Sequence, residues 1–350
     1  MQGKVRVGWI TDRGLPRRWH HRWYMPLSDA GVMRFTNLVR EMRAREPLME
    51  NELYRSGVRY DVLVVLKCVN DEVRAVAERA KEQGTKLVFD ANVNYYSIWG
   101  DFPVPATRPA PWQQKNAITL TSAATIVVAD SSYIAAECRK YQNRVVHIPD
   151  NVNLTFFPQT RRHQSSRKIT LVWSGISQKA YHLSLIEPVL QRAAPWVRLW
   201  LVSNNQIYPD CVRRIASFLE VRHFRFSLKR YAEILTHSDV IISPKVLNNS
   251  YELGHSEYKI TLGMAAGLPA LASPQQSYLE AVDHRGGGFI CETDIHWQEG
   301  LERLIADAEL RGHLGSEARK TTEERYSSPV VARQYCEVLR GCAGLDRLRL

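Results

Sequence analysis

The chain lacks the features of a membrane-spanning or secreted protein. None of its apolar runs is long enough to cross a bilayer. Residues 1–10 pass directly into a strand-like pattern and contain no apolar core of a signal peptide. We therefore expect a cytoplasmic protein. With 350 residues the chain is too long for one ordinary domain and suits two.

Cysteine patterns and nucleic-acid motifs are also missing. The 6 cysteines are scattered, none forms a Cys-x-x-Cys pair, and no histidine lies at zinc-finger spacing. We expect reduced, mostly buried thiols and no metal site. Helix-turn-helix, zinc and RNP patterns are absent, so nucleic acid is not an expected partner.

Positive charge is in excess. The formal net charge of +11 implies an anionic partner. Nucleic acid, an acidic membrane surface and a phosphorylated small molecule all satisfy this requirement, and charge alone does not choose between them.

Strands and helices alternate along the first half. Short apolar and β-branched runs predict strands, and amphipathic spacing predicts the helices between them. The expected strands are 5–11, 61–67, 86–90, 125–129 and 145–149, and the expected helices are 33–45, 72–83, 111–122 and 131–141. This alternation favours a parallel sheet with helices on both faces.

A polar, basic segment at 158–168 separates the halves, and the alternation then restarts. We predict an N-terminal domain over 1–160, a C-terminal domain over 161–327 and a terminal helical segment over 328–350. The expected fold class is α/β, with two doubly wound Rossmann-like domains facing a cleft. Ligands of such folds bind at the carboxyl ends of the strands.

The most informative segment is 259–273, which reads Lys-Ile-Thr-Leu-Gly-Met-Ala-Ala-Gly-Leu-Pro-Ala-Leu-Ala-Ser. A cation begins a small-residue helix, and a glycine, a proline and a short strand follow. Together with Trp173-Ser174-Gly175 and the strand-Ser-helix-strand pattern of 125–149, it resembles GT-B glycosyltransferases, in particular the retaining, bacterial group 1 type. The resemblance covers roughly 61–335.

This resemblance implies transfer of a sugar from a nucleotide-sugar donor to a saccharide or lipid-linked acceptor. The donor would lie on the C-terminal domain and the acceptor on the N-terminal domain, in bacterial surface polysaccharide synthesis. Basic side chains and a helix N-terminus would stabilise the departing diphosphate without a cofactor or a required metal. The terminal helix would cross back to the first domain.

The sequence departs from the family at its acidic positions. The family's Glu, seven residues, Glu pattern falls here on Gly254 and Leu262. Its Gly-Arg-x-x-x-x-Lys phosphate motif is reduced to Gly175 and Lys179. Two alternatives therefore stay open: a non-catalytic GT-B module that binds a polyanion or a protein partner, and a GT-B sugar-nucleotide epimerase.

The family pattern, carried over to this sequence, gives the candidate site residues. Lys259 is expected to contact the diphosphate, and the polar loop 249–257 to touch the donor; each could instead be an ordinary solvated or capping group. Asp90, at the end of a buried strand, is a candidate general base or a turn cap. The expected donor-binding set is Gly175, Lys179, Gly254, His255, Glu257 and Lys259.

The segment 13–24 is dense in cations and aromatic residues and follows the first strand. Such mixtures suit an acceptor diphosphate or an anionic membrane interface. A packed loop is the second interpretation, and nucleic acid the last. The residues expected to make acceptor or membrane contacts are Arg13, Arg17, Arg18, Trp19, Arg22 and Trp23.

Overall fold

A computed structural model describes residues 4–15, 31–104 and 107–345. Its β-strands are β1 Val5–Ile10, β2 Met49–Leu53, β3 Val62–Leu66, β4 Lys86–Ala91, β5 Ile126–Ala129, β6 Val145–His147, β7 Ile169–Ser174, β8 Val197–Ser203, β9 Val221–Arg225, β10 Val240–Ser243, β11 Ala270–Ala272 and β12 Gly288–Ile290.

The α-helices alternate with these strands. They are α1 Leu38–Arg45, α2 Asp71–Glu82, α3 Pro111–Ala123, α4 Ser132–Arg139, α5 Glu187–Ala193, α6 Asp210–Phe218, α7 Leu228–Thr236, α8 Ser250–Leu253, α9 Tyr258–Ala265, α10 Gln276–Val282, α11 Asp294–Ala306, α12 Ala308–Thr321 and α13 Ser328–Ala343. A π-helical turn, Val32–Asn37, precedes α1, and another, Thr322–Tyr326, follows α12. Short 3₁₀ segments lie at Leu154–Phe156 and Ser177–Ile186.

The first sheet has six parallel strands in the order β2-β1-β3-β4-β5-β6. Strand β3 is buried at every position because helices cover both faces of a parallel sheet. Helix α2 shows how the sequence specifies its neighbours. Asn70 caps its N-terminus by accepting a 2.8 Å hydrogen bond from the Val73 amide, and Val73, Val76 and Ala77 face the core.

The second sheet also has six parallel strands, in the order β12-β11-β10-β7-β8-β9. Two apolar cores, one on each side, bury its helices. Two wholly parallel sheets with alternating helices confirm the predicted α/β class with two doubly wound, Rossmann-like units.

The chain divides into two compact units. The first comprises the described residues up to Asn151, then Asn249–Ser256 and the described part of Ser328–Leu350; the second comprises Val152–Asn248 and Glu257–Ser327. Helix α13 thus belongs to the first unit, where Val331, Tyr335 and Leu339 join the core beside β1 and β3.

Candidate functional site

The second sheet has a topological switch point between β7 and β10. These strands are neighbours, yet the chain leaves β7 toward β8 and leaves β10 toward β11, on opposite sides. The loops after the two strands therefore diverge and open a crevice at the carboxyl edge, where doubly wound sheets bind ligands. Gly175 follows β7, and Lys245 lies two residues after β10.

Gly175 and Lys259 lie together at this edge. A Cβ atom at Gly175 would lie 3.2 Å from Lys259 Nζ and 3.0 Å from the Trp173 ring, so a larger residue here would make one of these side chains shift by a few tenths of an ångström. Lys259 Nζ also lies 5.9 Å from the centroid of the Trp173 ring, a cation–π distance. The half-buried Lys259 lies in the first turn of α9, and its charge adds to the dipole at that helix end.

Lys245 is a second cation at the same edge, and sequence reasoning missed it. Its side chain is buried, its amide donates a 2.8 Å hydrogen bond to Ser273 Oγ, and its Nζ lies 5.0 Å from the Tyr278 ring centroid. Tyr278 is fixed in turn by a 2.9 Å hydrogen bond between its hydroxyl and Ser243 Oγ. The available signal in the sequence was a lysine two residues after the short apolar run Val240–Ser243.

Lys179 lies in the 3₁₀ segment after β7 and is buried, not a solvated loop lysine. His182 in the same segment accepts a 3.1 Å hydrogen bond at Nδ1 from the Val246 amide. This hydrogen bond therefore links the segment after β7 to the loop after β10, on the two sides of the crevice.

A cavity of about 380 Å³ adjoins the ends of β8 and β9 in the same sheet, and its lining includes Asn204, Asn205, Gln206 and Arg225. Ser177 donates its amide hydrogen to Asn204 Oδ1 at 3.0 Å and its hydroxyl hydrogen to Asn205 Oδ1 at 2.6 Å. Amide side chains provide both donors and acceptors, so this cavity can match the polar edge of a heterocyclic base.

The predicted donor loop is divided between the two units. Glu257 is buried in the second unit at the start of α9. Gly254 and His255 lie in the first unit, where Ser131 Oγ donates a 3.0 Å hydrogen bond to the Gly254 carbonyl. His255 Nε2 lies 3.8 Å from Glu252 Oε2.

The two positions at which the family has glutamates do not accommodate them in this structure. A Cβ at Gly254 would lie 2.9 Å from Asn94 Cβ, so a glutamate there would collide with the first unit's own chain. Leu262, at the second position, is buried in an apolar core of the second unit, where a carboxylate would lose its hydration without a partner.

Asp90 lies at the end of β4 inside a closed ionic network. Arg34 donates from Nε to Asp90 Oδ2 and from Nη1 to Asp150 Oδ1, both at 3.0 Å, and from Nη2 to the Tyr335 hydroxyl at 2.7 Å. The Tyr335 hydroxyl also donates to Asp90 Oδ2. Asp90 and Arg34 are both fully buried. This enclosure favours a structural part for Asp90 over the general-base part.

Sequence reasoning also missed Arg34, the centre of this network. Burial acts to lower the pKa of Arg34, but the surrounding carboxylate of Asp90 and the other anions raise it well above its ordinary value. Burial raises the pKa of Asp90, while Arg34 opposes the rise. The signal in the sequence was a single arginine one helical turn before Leu38, on the apolar face.

Asp130 extends the acidic side of this edge. It follows β5 and is buried, and burial and then the Asp150 carboxylate raise its pKa well above the usual carboxyl range. Arg34 and a hydrogen bond to Asn92 act in the opposite direction. Among the residues that the structure describes, this edge thus holds three buried carboxyl groups, those of Asp90, Asp130 and Asp150, beside the one guanidinium of Arg34.

The predicted acceptor or membrane segment falls mostly outside the described residues. Arg13 is described and exposed, in a turn after β1. Arg17, Arg18, Trp19, Arg22 and Trp23 lie outside the described ranges. Within those ranges no helix combines the length and apolarity that a bilayer crossing needs, and no three His, Cys, Asp or Glu side chains form a metal-binding group.

Sequence comparisons find one short match to a known protein. No protein-family model matches the chain. A stretch of 67 residues is 31% identical to human alpha-1,3/1,6-mannosyltransferase ALG2, and it covers 19% of this chain and only 16% of that protein.

Solved structures match almost the whole chain. A glycosyltransferase from Rickettsia africae gives a TM-score of 0.66 at 13% identity, over 98% of this chain and 99% of that one. Sucrose-phosphate synthase from Thermosynechococcus elongatus gives a TM-score of 0.70 at 11% identity, over 98% of this chain and 100% of that one. HepE from Anabaena, in complex with UDP and glucose, gives a TM-score of 0.66 at 12% identity, over 96% of this chain and 100% of that one. The resemblance to GT-B glycosyltransferases is confirmed for the fold: this chain has the GT-B fold.

Proposed function

We propose that this protein is a glycosyltransferase that holds the diphosphate of a nucleotide-sugar at the β7–β10 edge of its second unit. The observation that carries the proposal is the Lys259 ammonium beside Gly175, at the switch point of a doubly wound sheet. A glycine admits a ligand close to the backbone, and a lysine at the start of a helix supplies positive charge to an anion.

Lys259 and Lys245 act on the leaving group. When the bond between the sugar and the diphosphate breaks, negative charge grows on the diphosphate oxygens, and preorganised cations stabilise that charge. Lys245 is buried, so its field is less screened by water than that of a surface lysine. The Asn204–Asn205 cavity would take the nucleobase.

The donor is a nucleotide-sugar, and structures of HepE with UDP and with UDP-glucose support this class. The acceptor is a saccharide or a lipid-linked saccharide, as in surface polysaccharide synthesis. No metal is assigned to the reaction, since the lysines provide the charge that a divalent cation would otherwise supply.

Contact with an anionic membrane surface belongs to the same proposal. The net charge of +11 and the exposed Arg13 support it. Exposed tryptophans in the first unit, Trp99 and Trp112, add the amphipathic rings that are enriched at membrane interfaces.

The test is calorimetric titration of the full chain with UDP and UDP-glucose. Lys259→Ala should weaken binding of both by about 1 kcal/mol or more, the loss expected for a charge-assisted contact. Lys229→Ala, which removes an exposed lysine from α7, is the matched control and should bind as the parent does.

Equal affinities for parent and Lys259→Ala would remove this lysine from the site. Hydrolysis of the donor, or transfer of its sugar, would support glycosyltransferase activity. Binding with neither would instead favour the non-catalytic module, and conversion of the donor to its epimer without an acceptor would favour the epimerase.

A further inference from the structure

A further cavity lies in the first unit. It has a volume of about 610 Å³ and lies between the segment after β2 and helix α2. Leu63 and Val76 contribute to its floor. Its lining also includes Tyr54, Arg59, Tyr60, Arg79, Gln83 and Thr85.

An irregular strand connection produces this cavity. Strands β2 and β3 both pair in parallel with β1, so the chain must cross one face of the sheet between Leu53 and Val62. Parallel crossovers usually carry a helix that covers this face. Here the connection has no helix. Tyr60 covers Gly8 instead, and a Cβ at Gly8 would lie 2.9 Å from the Tyr60 ring. The part of this sheet face next to α2 is left uncovered and forms the cavity.

The cavity wall is fixed by hydrogen bonds. Thr85 Oγ1 donates to the Tyr60 carbonyl at 2.8 Å, and Arg59 Nη2 donates to the Gln83 carbonyl at 3.3 Å. The rings of Tyr54 and Tyr60 pack 5.8 Å apart. Two hydrogen bonds therefore join the irregular connection to the segment that follows α2, and the cavity is a formed feature of the fold.

The lining is polar and carries only positive charge. Arg59 and Arg79 come from different elements, and no aspartate or glutamate lines the cavity among the residues that the structure describes. Neither guanidinium has a carboxylate within 4.0 Å in the described part of the chain, unlike Arg74 on the same helix, whose Nη1 lies 2.7 Å from Glu78 Oε1. Two uncompensated guanidinium groups favour a carboxylate or phosphate.

We propose that this cavity binds an anionic saccharide. Arg59 and Arg79 hold its carboxylate or phosphate, and the hydroxyl and amide groups of Ser56 and Gln83 take up sugar hydroxyls. The volume suits a ligand of one or two sugar rings, since small-molecule sites fall in the range of about 300–1,000 Å³. The site is separate from the proposed donor site, because all its residues belong to the first unit.

The test is titration of the full chain with glucose 6-phosphate, glucuronate and neutral glucose. The two anionic probes distinguish a phosphate from a carboxylate ligand. Saturable binding of at least one anion, weakened by added salt, is expected, with none for glucose. Arg59→Gln with Arg79→Gln should weaken that binding by about tenfold or more, as expected when charge-assisted hydrogen bonds are lost.

Arg74→Gln on the same helix is the matched control and should bind as the parent does. A UDP titration of the double variant should be unchanged, which separates this site from the donor site. The proposal is overturned if neither anion binds the parent, if the double variant binds as tightly as the parent, or if Arg74→Gln loses the same affinity.

Discussion

The carboxyl edges of the two six-stranded parallel sheets carry opposite charge. In the first unit, Asp90, Asp130 and Asp150 surround one buried guanidinium, that of Arg34. In the second unit, a glycine and lysines lie at the switch point. The first edge encloses its acidic groups around a buried arginine of the same unit, and the second carries the positive charge that we propose to face a ligand.

This comparison shows that a shared fold does not fix what its edge does. Tyr335, from the C-terminal helix α13, completes the network of the first edge. The second edge has Gly175 where any larger residue would crowd Lys259. The account therefore predicts that substitutions at the first edge change mainly stability, and substitutions at the second change mainly binding.

The largest effect is expected at the first edge. Arg34→Met leaves buried carboxyl groups without their guanidinium and should lower the free energy of unfolding by about 3–5 kcal/mol, the usual result of breaking a buried ion pair. Chemical denaturation followed by circular dichroism measures it.

Arg43→Met is the matched control, since Arg43 is exposed on the adjacent α1. It should leave the unfolding midpoint unchanged. A loss below about 1 kcal/mol for Arg34→Met, within the range of an ordinary surface pair, would mean that the network contributes little.

A smaller effect, on binding, is expected at the second edge. Gly175→Ala places a methyl group against Trp173 and the Lys259 ammonium. It should displace the ammonium and weaken UDP-glucose binding about tenfold, or about 1.4 kcal/mol, with little change in stability.

Gly312→Ala provides the comparison, because a Cβ there meets nothing within 4 Å. This change should leave donor binding intact and slightly stabilise helix α12. Unchanged binding of UDP-glucose by Gly175→Ala would show that the donor does not need to lie close to the backbone at this position.

The smallest effect is a pH dependence at the first edge. The pKa of Asp130 is raised by burial and by Asp150, so the folded state holds its proton more tightly than the unfolded state does. The ionised Asp130 carboxylate destabilises the folded state. This destabilisation is absent at pH values below the ordinary aspartate pKa and grows as the pH rises toward the pKa of Asp130 in the folded state. Asp130→Asn removes that destabilisation.

The melting temperature of Asp130→Asn, relative to the parent, should therefore increase as the pH is raised from 4 to 8. A difference that stays constant with pH would contradict the assignment. Asp283→Asn, at an exposed aspartate, should show no such trend.

Much of the fold could be predicted because apolar runs and helical spacing are local signals. The buried strand β3 and helix α2 both lie within two residues of their predicted bounds. Strand β2 was missed, since Met-Glu-Asn-Glu-Leu is polar and only its pairing with β1 makes it a strand. A pattern cannot show a partner that lies about 40 positions away.

The site was predictable only in part, for a similar reason. The proximity of Gly175 and Lys259 followed from the family pattern and is seen in the structure. Lys245 was missed because its place at the switch point depends on the order of the strands. Arg34 was missed because its hydrogen-bond network includes Tyr335, which lies 301 positions further along the chain. The closed environment of Asp90 depends on the same distant contact.

Hydrogen–deuterium exchange of the full chain with and without UDP tests the central claim most directly. We predict added protection within the second unit in the segments 175–182 and 244–248 and in the first turn of α9. If UDP left these segments unprotected and protected the 54–85 region of the first unit instead, the donor site would be wrongly placed.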